Sequence, residues 1–268
     1  AQGGAAYFEM NNSRYIKYDV NAEESGYRVV TNFSFAGRYE DYEGYERYLT
    51  ASTIMQEAFS CEHEFSATEV LNRFSRQYRH ELLGINISPD NVPDYTVDQD
   101  FIPRRITSAM IVFEGVKAGN NPLHTIMWTA LGYPACAVAI PLLVHGAHLP
   151  YYMLARDMHT TQPASLHSEM CDASLAIKDQ WVFPLHISNG HRYISTRNVL
   201  RGADGAPSLL QCTQQVEQII HSDFLPLYQQ WITGTISNRA FWHSYDQMSN
   251  RWMQIYYEIF QSYLPNEK

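Results

Sequence analysis

The stretch Arg105–Val144, RITSAMIVFEGVKAGNNPLHTIMWTALGYPACAVAIPLLV, decides the fold. It contains three runs rich in apolar and small residues, Thr107 to Gly115, Thr125 to Leu131 and Cys136 to Leu143. They are separated by GNNP and GYP, whose Gly, Asn and Pro are turn-formers. Runs this short, bounded by turn signals and carrying few polar residues, read as strands buried on both faces. The longest candidate for a membrane span, Ala135 to Val144, contains Pro141 and falls far short of the ~20 residues a helix needs to cross a bilayer.

Upstream, the patterns alternate. Ala5 to Glu9 and Arg14 to Tyr18 read as a strand pair joined at Asn11-Asn12, and Tyr27 to Phe33 as a third strand. Tyr45, Leu49, Ser52, Met55 and Phe59 then fall at helical spacing, which predicts a helix over 44–60. Ser66-Ala67-Thr68-Glu69 is a capping box. It opens a second helix with Val70, Leu71, Phe74 and Tyr78 inward and its stop expected near Gly84. Residues 85–103 and 145–171 read as loops. Asp172 to Trp181 reads as helical and His191 to Thr196 as a weak strand or loop. Ser208 to Trp231 and Ser237 to Tyr263 read as helices, forming a C-terminal layer over 208–268. The last carries Phe241, Tyr245, Met248, Trp252, Ile255 and Ile259 on one face, a core stripe rather than a cofactor box. The order strands, helices, strands, helices is that of a single α+β domain with sheet covered by helices.

Composition narrows the partners. With 45% hydrophobic and 18% charged residues, the 268-residue chain is globular. Its net charge of -9, without any Lys/Arg-rich block, argues against nucleic acid and against anionic membrane surfaces. Cys61, Cys136, Cys171 and Cys212 contain no CxxC spacing and read as buried thiols. Among eleven histidines, His145 and His148 are the nearest pair of interest, but no carboxylate at ligand spacing joins them, so no metal and no cofactor is expected. There is no G-x-S-x-G elbow, Walker loop or G-x-G-x-x-G.

Asn32 stands at the end of an apolar strand, where Asn is disfavoured unless its side chain has work to do. By residue type it caps the turn into Phe33-Ser34. Its company suggests more. GGAAYFEM, YIKYDV, VVTNFSF, IPRRITSAMIVFEGV and HTIMWTALGYPACAVAIPLLV, in this order and spacing, resemble the choloylglycine hydrolase and acyl-CoA:isopenicillin N acyltransferase group of N-terminal nucleophile (Ntn) hydrolases. The likeness is strongest to secreted linear-amide hydrolases and covers roughly the first half of the chain.

The resemblance implies a four-layer αββα fold of antiparallel sheets, a small-molecule amide substrate, and a secreted or periplasmic location. It implies cleavage of a linear amide C–N bond by an N-terminal Cys whose α-amino group is the base. It carries an oxyanion-binding role to Asn32. To Arg105, or to Arg104 one residue earlier, it carries electrostatic support of the nucleophile. Phe33, Phe35 and Trp128 are candidates for an acyl pocket, although aromatics near strands are core residues by default. The departure is at the start: residue 1 is Ala, and the first cysteine is Cys61. The expectation is therefore a nucleophile-bearing segment outside this chain, a companion N-terminal fragment as one source of it, and no activity from residues 1–268 alone. A homo-oligomer stays open. The rival expectation is a secreted, non-catalytic ligand- or carbohydrate-binding module built on the nineteen tyrosines and five tryptophans.

Overall fold

The computed structural model describes residues 5–11, 14–20, 29, 44–60, 66–90, 92–146, 149–154, 168–202 and 205–264. It mixes helices with antiparallel sheets, an α+β protein. The chain divides into two compact units, residues 1–64 with 80–84, and residues 65–79 with 85–268.

In the first unit, β1 (Ala5–Asn11) pairs antiparallel with β2 (Arg14–Val20), Tyr7 opposite Tyr18. The strand expected over Tyr27 to Phe33 lies almost wholly outside the described residues. Helix α1 (Tyr45–Phe59) starts after Gly44, whose φ of 82° favours glycine. Its buried positions are Thr50, Ala51, Ile54 and Ala58. That face is rotated from the one expected through Leu49, Ser52 and Met55, which are only partly buried.

In the second unit, α2 (Ala67–Ser75) begins with the expected capping box. Ser66 Oγ accepts from the Glu69 amide at 3.2 Å, and the Ser66 amide donates to Glu69 Oε2 at 3.0 Å. The helix stops at Ser75, well before Gly84, because Arg76 and Tyr78 turn into the core. Short strand β3 (Arg79–His80) begins at the last residue of this stretch of the second unit and ends in the first unit, and β4 (Ile85–Asn86) and β5 (Thr96–Val97) follow in the second.

The principal sheet is β6 (Ala109–Glu114), β7 (Ile126–Leu131) and β8 (Ile140–Leu143), antiparallel in that order. Val112 pairs with Trp128, and Trp128 with Pro141. One face therefore carries Met110, Val112, Ile126, Trp128 and Ala130. Helices α4 (Leu209–Ile232) and α5 (Asn238–Ile259) supply the helical layer of this core. Ser208 completes a second capping box at the start of α4, with Gln211. On α5, Phe241, Tyr245, Trp252 and Ile255 are buried, as the stripe predicts. Helix α3 (Glu169–Ile177), capped by Ser168, runs into a π-helical turn over Lys178–Val182. Strand β9 (Tyr193–Ile194) pairs antiparallel with β5.

Two expectations for the principal sheet need correction. The strand expected from Cys136 starts only at Ile140. Residues 133–139 instead form a buried turn whose backbone is satisfied by side chains. Arg76 donates to the carbonyls of Pro134 (3.0 Å) and Ala137 (3.1 Å). Thr213 Oγ1 donates to that of Ala135 (2.9 Å) and Tyr256 O–H to that of Cys136 (2.8 Å). Glu217 Oε1 accepts the Ala139 amide at 2.7 Å. A buried loop persists only with such partners. The second correction concerns β6. It is the edge strand among the described residues, and Ile111 (48% exposed) and Phe113 (65% exposed) stand open on the face opposite Trp128.

Candidate functional site

The segment before β6 carries the site. Thr107 N–H donates to the Arg104 carbonyl at 2.8 Å, and Arg104 N–H donates to Thr107 Oγ1 at 3.0 Å. This closes a turn with Arg105 and Ile106 at its two corners. The next residue, Ser108, accepts the Gly132 amide at 2.7 Å, which sets the turn beside the exit of β7. Gly132 has φ 118°, and a Cβ there would lie 2.3 Å from Ser174 Oγ. Only glycine allows this approach. It brings Ser174 Oγ to accept the Tyr133 amide at 3.0 Å.

The two arginines are held differently. Arg104 reaches Asp100 at 3.6 Å in a partly exposed pair, a contact of at most about 1 kcal/mol. Arg105 buries its Nε without a hydrogen-bond partner among the described residues. A buried guanidinium N–H without a partner is costly and calls for an explanation. Nearby, Asp98 Oδ1 is also buried and unpartnered among the described residues. Burial pushes the Asp98 carboxyl above the usual carboxylate range. The Arg105 backbone pulls it back in part, Asp100 adds to the push by its charge, and the Asp100 backbone and Arg104 charge oppose it.

Asp98 adjoins a buried tyrosine pair. Tyr78 and Tyr133 share a hydroxyl hydrogen bond of 2.8 Å, and burial raises both far above the ordinary phenol range. Both rings are wedged edge to face, Tyr78 against Phe101 at 5.6 Å and Tyr133 against Phe183 at 5.7 Å. At neutral pH these are fixed neutral hydroxyls. The segment thus places an arginine and a carboxyl raised by burial on one run of chain, beside two neutral hydroxyls from Tyr78 and Tyr133. Such a set can stabilise developing negative charge or relay a proton. The Asp98 and tyrosine part escapes sequence reading, because residues 85–103 read only as loop; its signal is burial, which spacing does not show.

Of the other candidates, Asn32, Phe33 and Phe35 lie outside the described residues. Trp128 is placed in the core, not on a pocket wall. It is fully buried, its indole N–H donates to Glu114 Oε2 at 2.8 Å, and its ring stacks on His221 at 4.3 Å. Strand register puts it on the helix-facing side, which is why it cannot line an open acyl pocket. Burial lowers the His221 pKa, against the charges of Glu217 and Glu114.

The thiols are committed elsewhere. Cys136, Cys171 and Cys212 are free and buried. Burial raises all three, Cys212 to about 11. A thiol so raised is not a nucleophile at neutral pH. Cys61 lies outside the described residues. Among the described residues, no group of three or more His, Cys, Asp or Glu could hold a metal ion, and no helix is long and apolar enough to cross a membrane. Comparison with family models, curated proteins and solved structures found no match for this chain.

Proposed function

We propose that the chain is part of an Ntn amide hydrolase or acyltransferase of the choloylglycine hydrolase type, built as a four-layer αββα sandwich and acting on a linear amide outside the cytoplasm. The nucleophile is an N-terminal cysteine outside residues 1–268. Its thiolate attacks the amide carbonyl. The tetrahedral oxyanion accepts a hydrogen bond from the Asn32 side chain, and the C–N bond breaks as the α-ammonium returns a proton to the leaving amine. Water, or an acceptor amine, then takes the acyl group from sulfur. Arg105 keeps the thiolate ionised. Phe33 and Phe35 border the acyl chain.

The observation that carries this reading is Arg105 itself. The resemblance points to it with Arg104 as the alternative, and in the structure it differs from Arg104 in having a buried nitrogen that no described residue satisfies. A supporting observation is the raised state of Cys136, Cys171 and Cys212, which removes them as rivals for the nucleophile. For the binding-module alternative, Trp128, Trp231 and Trp252 are buried in the core, which leaves Trp181, Trp242 and the exposed Tyr95, Tyr151 and Tyr193 as the aromatics it would have to use.

The test is turnover of a panel of N-acyl amides by the natural, nucleophile-bearing protein. Asn32→Ala should lower kcat by about 10²–10³-fold, the usual cost of one oxyanion donor. Arg105→Met should lower kcat/KM and shift its pH profile upward, while Arg104→Met leaves both near wild type. Unchanged turnover in Asn32→Ala or Arg105→Met would remove that residue from the mechanism.

A further inference from the structure

At the opposite end of β6 from Arg105, the β6–β7 hairpin and the C-terminal end of α4 enclose a cavity of about 630 Å³. Glu114, Lys117, His124, Tyr228, Gln229 and Thr233 are among its lining. The carboxylate of Glu114 is pinned there. Its Oε2 accepts from Trp128 Nε1 at 2.8 Å, and Trp128 is itself immobilised in the core. Glu114 is otherwise exposed, so the carboxylate is open to solvent. The 24-residue helix α4 ends at the same cavity, and its last turn holds no basic residue. The negative end of its dipole is therefore not offset from within the helix.

Tyr228 adds no positive charge. Its O–H donates to the His124 carbonyl at 2.8 Å, and burial, with the Glu114 charge, raises its pKa. Lys117, on the exposed hairpin, is the one lysine or arginine of the lining. A sugar would ask for an open aromatic face, but Tyr228 is 8% exposed and stacked on Phe224 at 5.5 Å. The fixed carboxylate and the helix C-terminus put negative potential on the cavity, and the Tyr228 and Thr233 hydroxyls already donate to backbone carbonyls, to His124 and to Gln229 and Gln230 respectively.

We propose that this cavity binds an organic cation, the alkylammonium or guanidinium group of a small molecule, with Glu114 as its counter-ion. The site is independent of the amide-cleaving reading. Trp128 gives it a built-in reporter, since its indole N–H touches the same carboxylate.

The experiment titrates the tryptophan-labelled chain with n-butylammonium and with agmatine, following the Trp128 indole N–H resonance, with acetate, phosphate and glucose as comparators. Both cations should shift it saturably and the comparators should not. Glu114→Gln keeps the acceptor for Trp128 but removes the charge, and should weaken binding about tenfold or more. Thr233→Lys, an exposed change that puts a cation at the cavity wall, should abolish binding, and Lys117→Ala should tighten it. No saturable shift with either cation overturns the proposal. Equal affinity in Glu114→Gln also overturns it. So does binding of acetate or phosphate that Lys117→Ala abolishes, which would make this an anion site.

Discussion

Asp98 and Arg105 show how much can turn on a few atoms. Both bury a polar atom that no described residue satisfies, within one short run of chain. The raised Asp98 carboxyl has a consequence for stability. A carboxyl raised on folding favours the folded state fully only below the unfolded value, near pH 3.9, and that contribution is lost as pH rises through the folded value. Asp98→Asn keeps an acceptor for the Arg105 and Asp100 backbone and cannot ionise. Its urea midpoint should therefore gain on wild type as pH rises from about 3.9 to neutrality. A difference between the two that does not change with pH would show that Asp98 is not raised.

At this scale the sequence is half legible. The motif IPRRITS draws attention to Arg104 and Arg105, but it cannot choose between them. The turn tells them apart by surroundings alone, leaving Arg104 with Asp100 and burying Arg105 Nε. Trp128 illustrates the converse. An aromatic in a strand faces either a pocket or the core, and only register with Val112 and Pro141 decides which.

Among the elements, the buried turn over residues 133–139 is the one most dependent on distant side chains. Arg76 and Glu217, each 2% exposed, meet at 2.5 Å and 2.7 Å in a two-pronged ion pair that also satisfies backbone groups of the turn. Replacing Arg76 by Ala leaves the buried Glu217 carboxylate without its counter-ion, with the Ala139 amide as its remaining donor, and takes the Arg76 donors from the carbonyls of Pro134 and Ala137. Denaturant unfolding should show a loss of about 3–5 kcal/mol. Removing the α4 cap by Ser208→Ala should cost only about 1 kcal/mol, measured the same way. If the two variants lost equal stability, the ion pair would not be holding the turn.

The helix starts were legible because caps are local: Ser66 with Glu69 and Ser208 with Gln211 are each within four residues. The end of α2 was not, since Arg76 leaves the helix for a partner 141 positions away. The late start of β8 has the same origin. Apolar residues at 136–139 fit a strand by pattern, and only Glu217, Thr213 and Tyr256 make a turn of them.

Across the whole molecule, the sheet of the second unit is buried on its Trp128 face, and on the other face only the edge strand β6 stands open, at Ile111 and Phe113, while Thr129, Ile140 and Leu142 beside them are buried. The molecule's thiol chemistry is also a global property. Cys136, Cys171 and Cys212 should resist a brief iodoacetamide pulse at neutral pH in the native state and react once the chain is unfolded, as read by peptide mapping. Rapid native labelling of any of the three would reopen it as a nucleophile.

The central claim is that a cysteine outside these residues takes the acyl group, assisted by Arg105. The most direct measurement is mass spectrometry of the natural protein quenched during turnover of a linear N-acyl amide. The account predicts an acyl group on an N-terminal cysteine, and its depletion in Arg105→Met. An acyl group on Cys61, Cys136, Cys171 or Cys212, or amide turnover with no acylated cysteine, would contradict it.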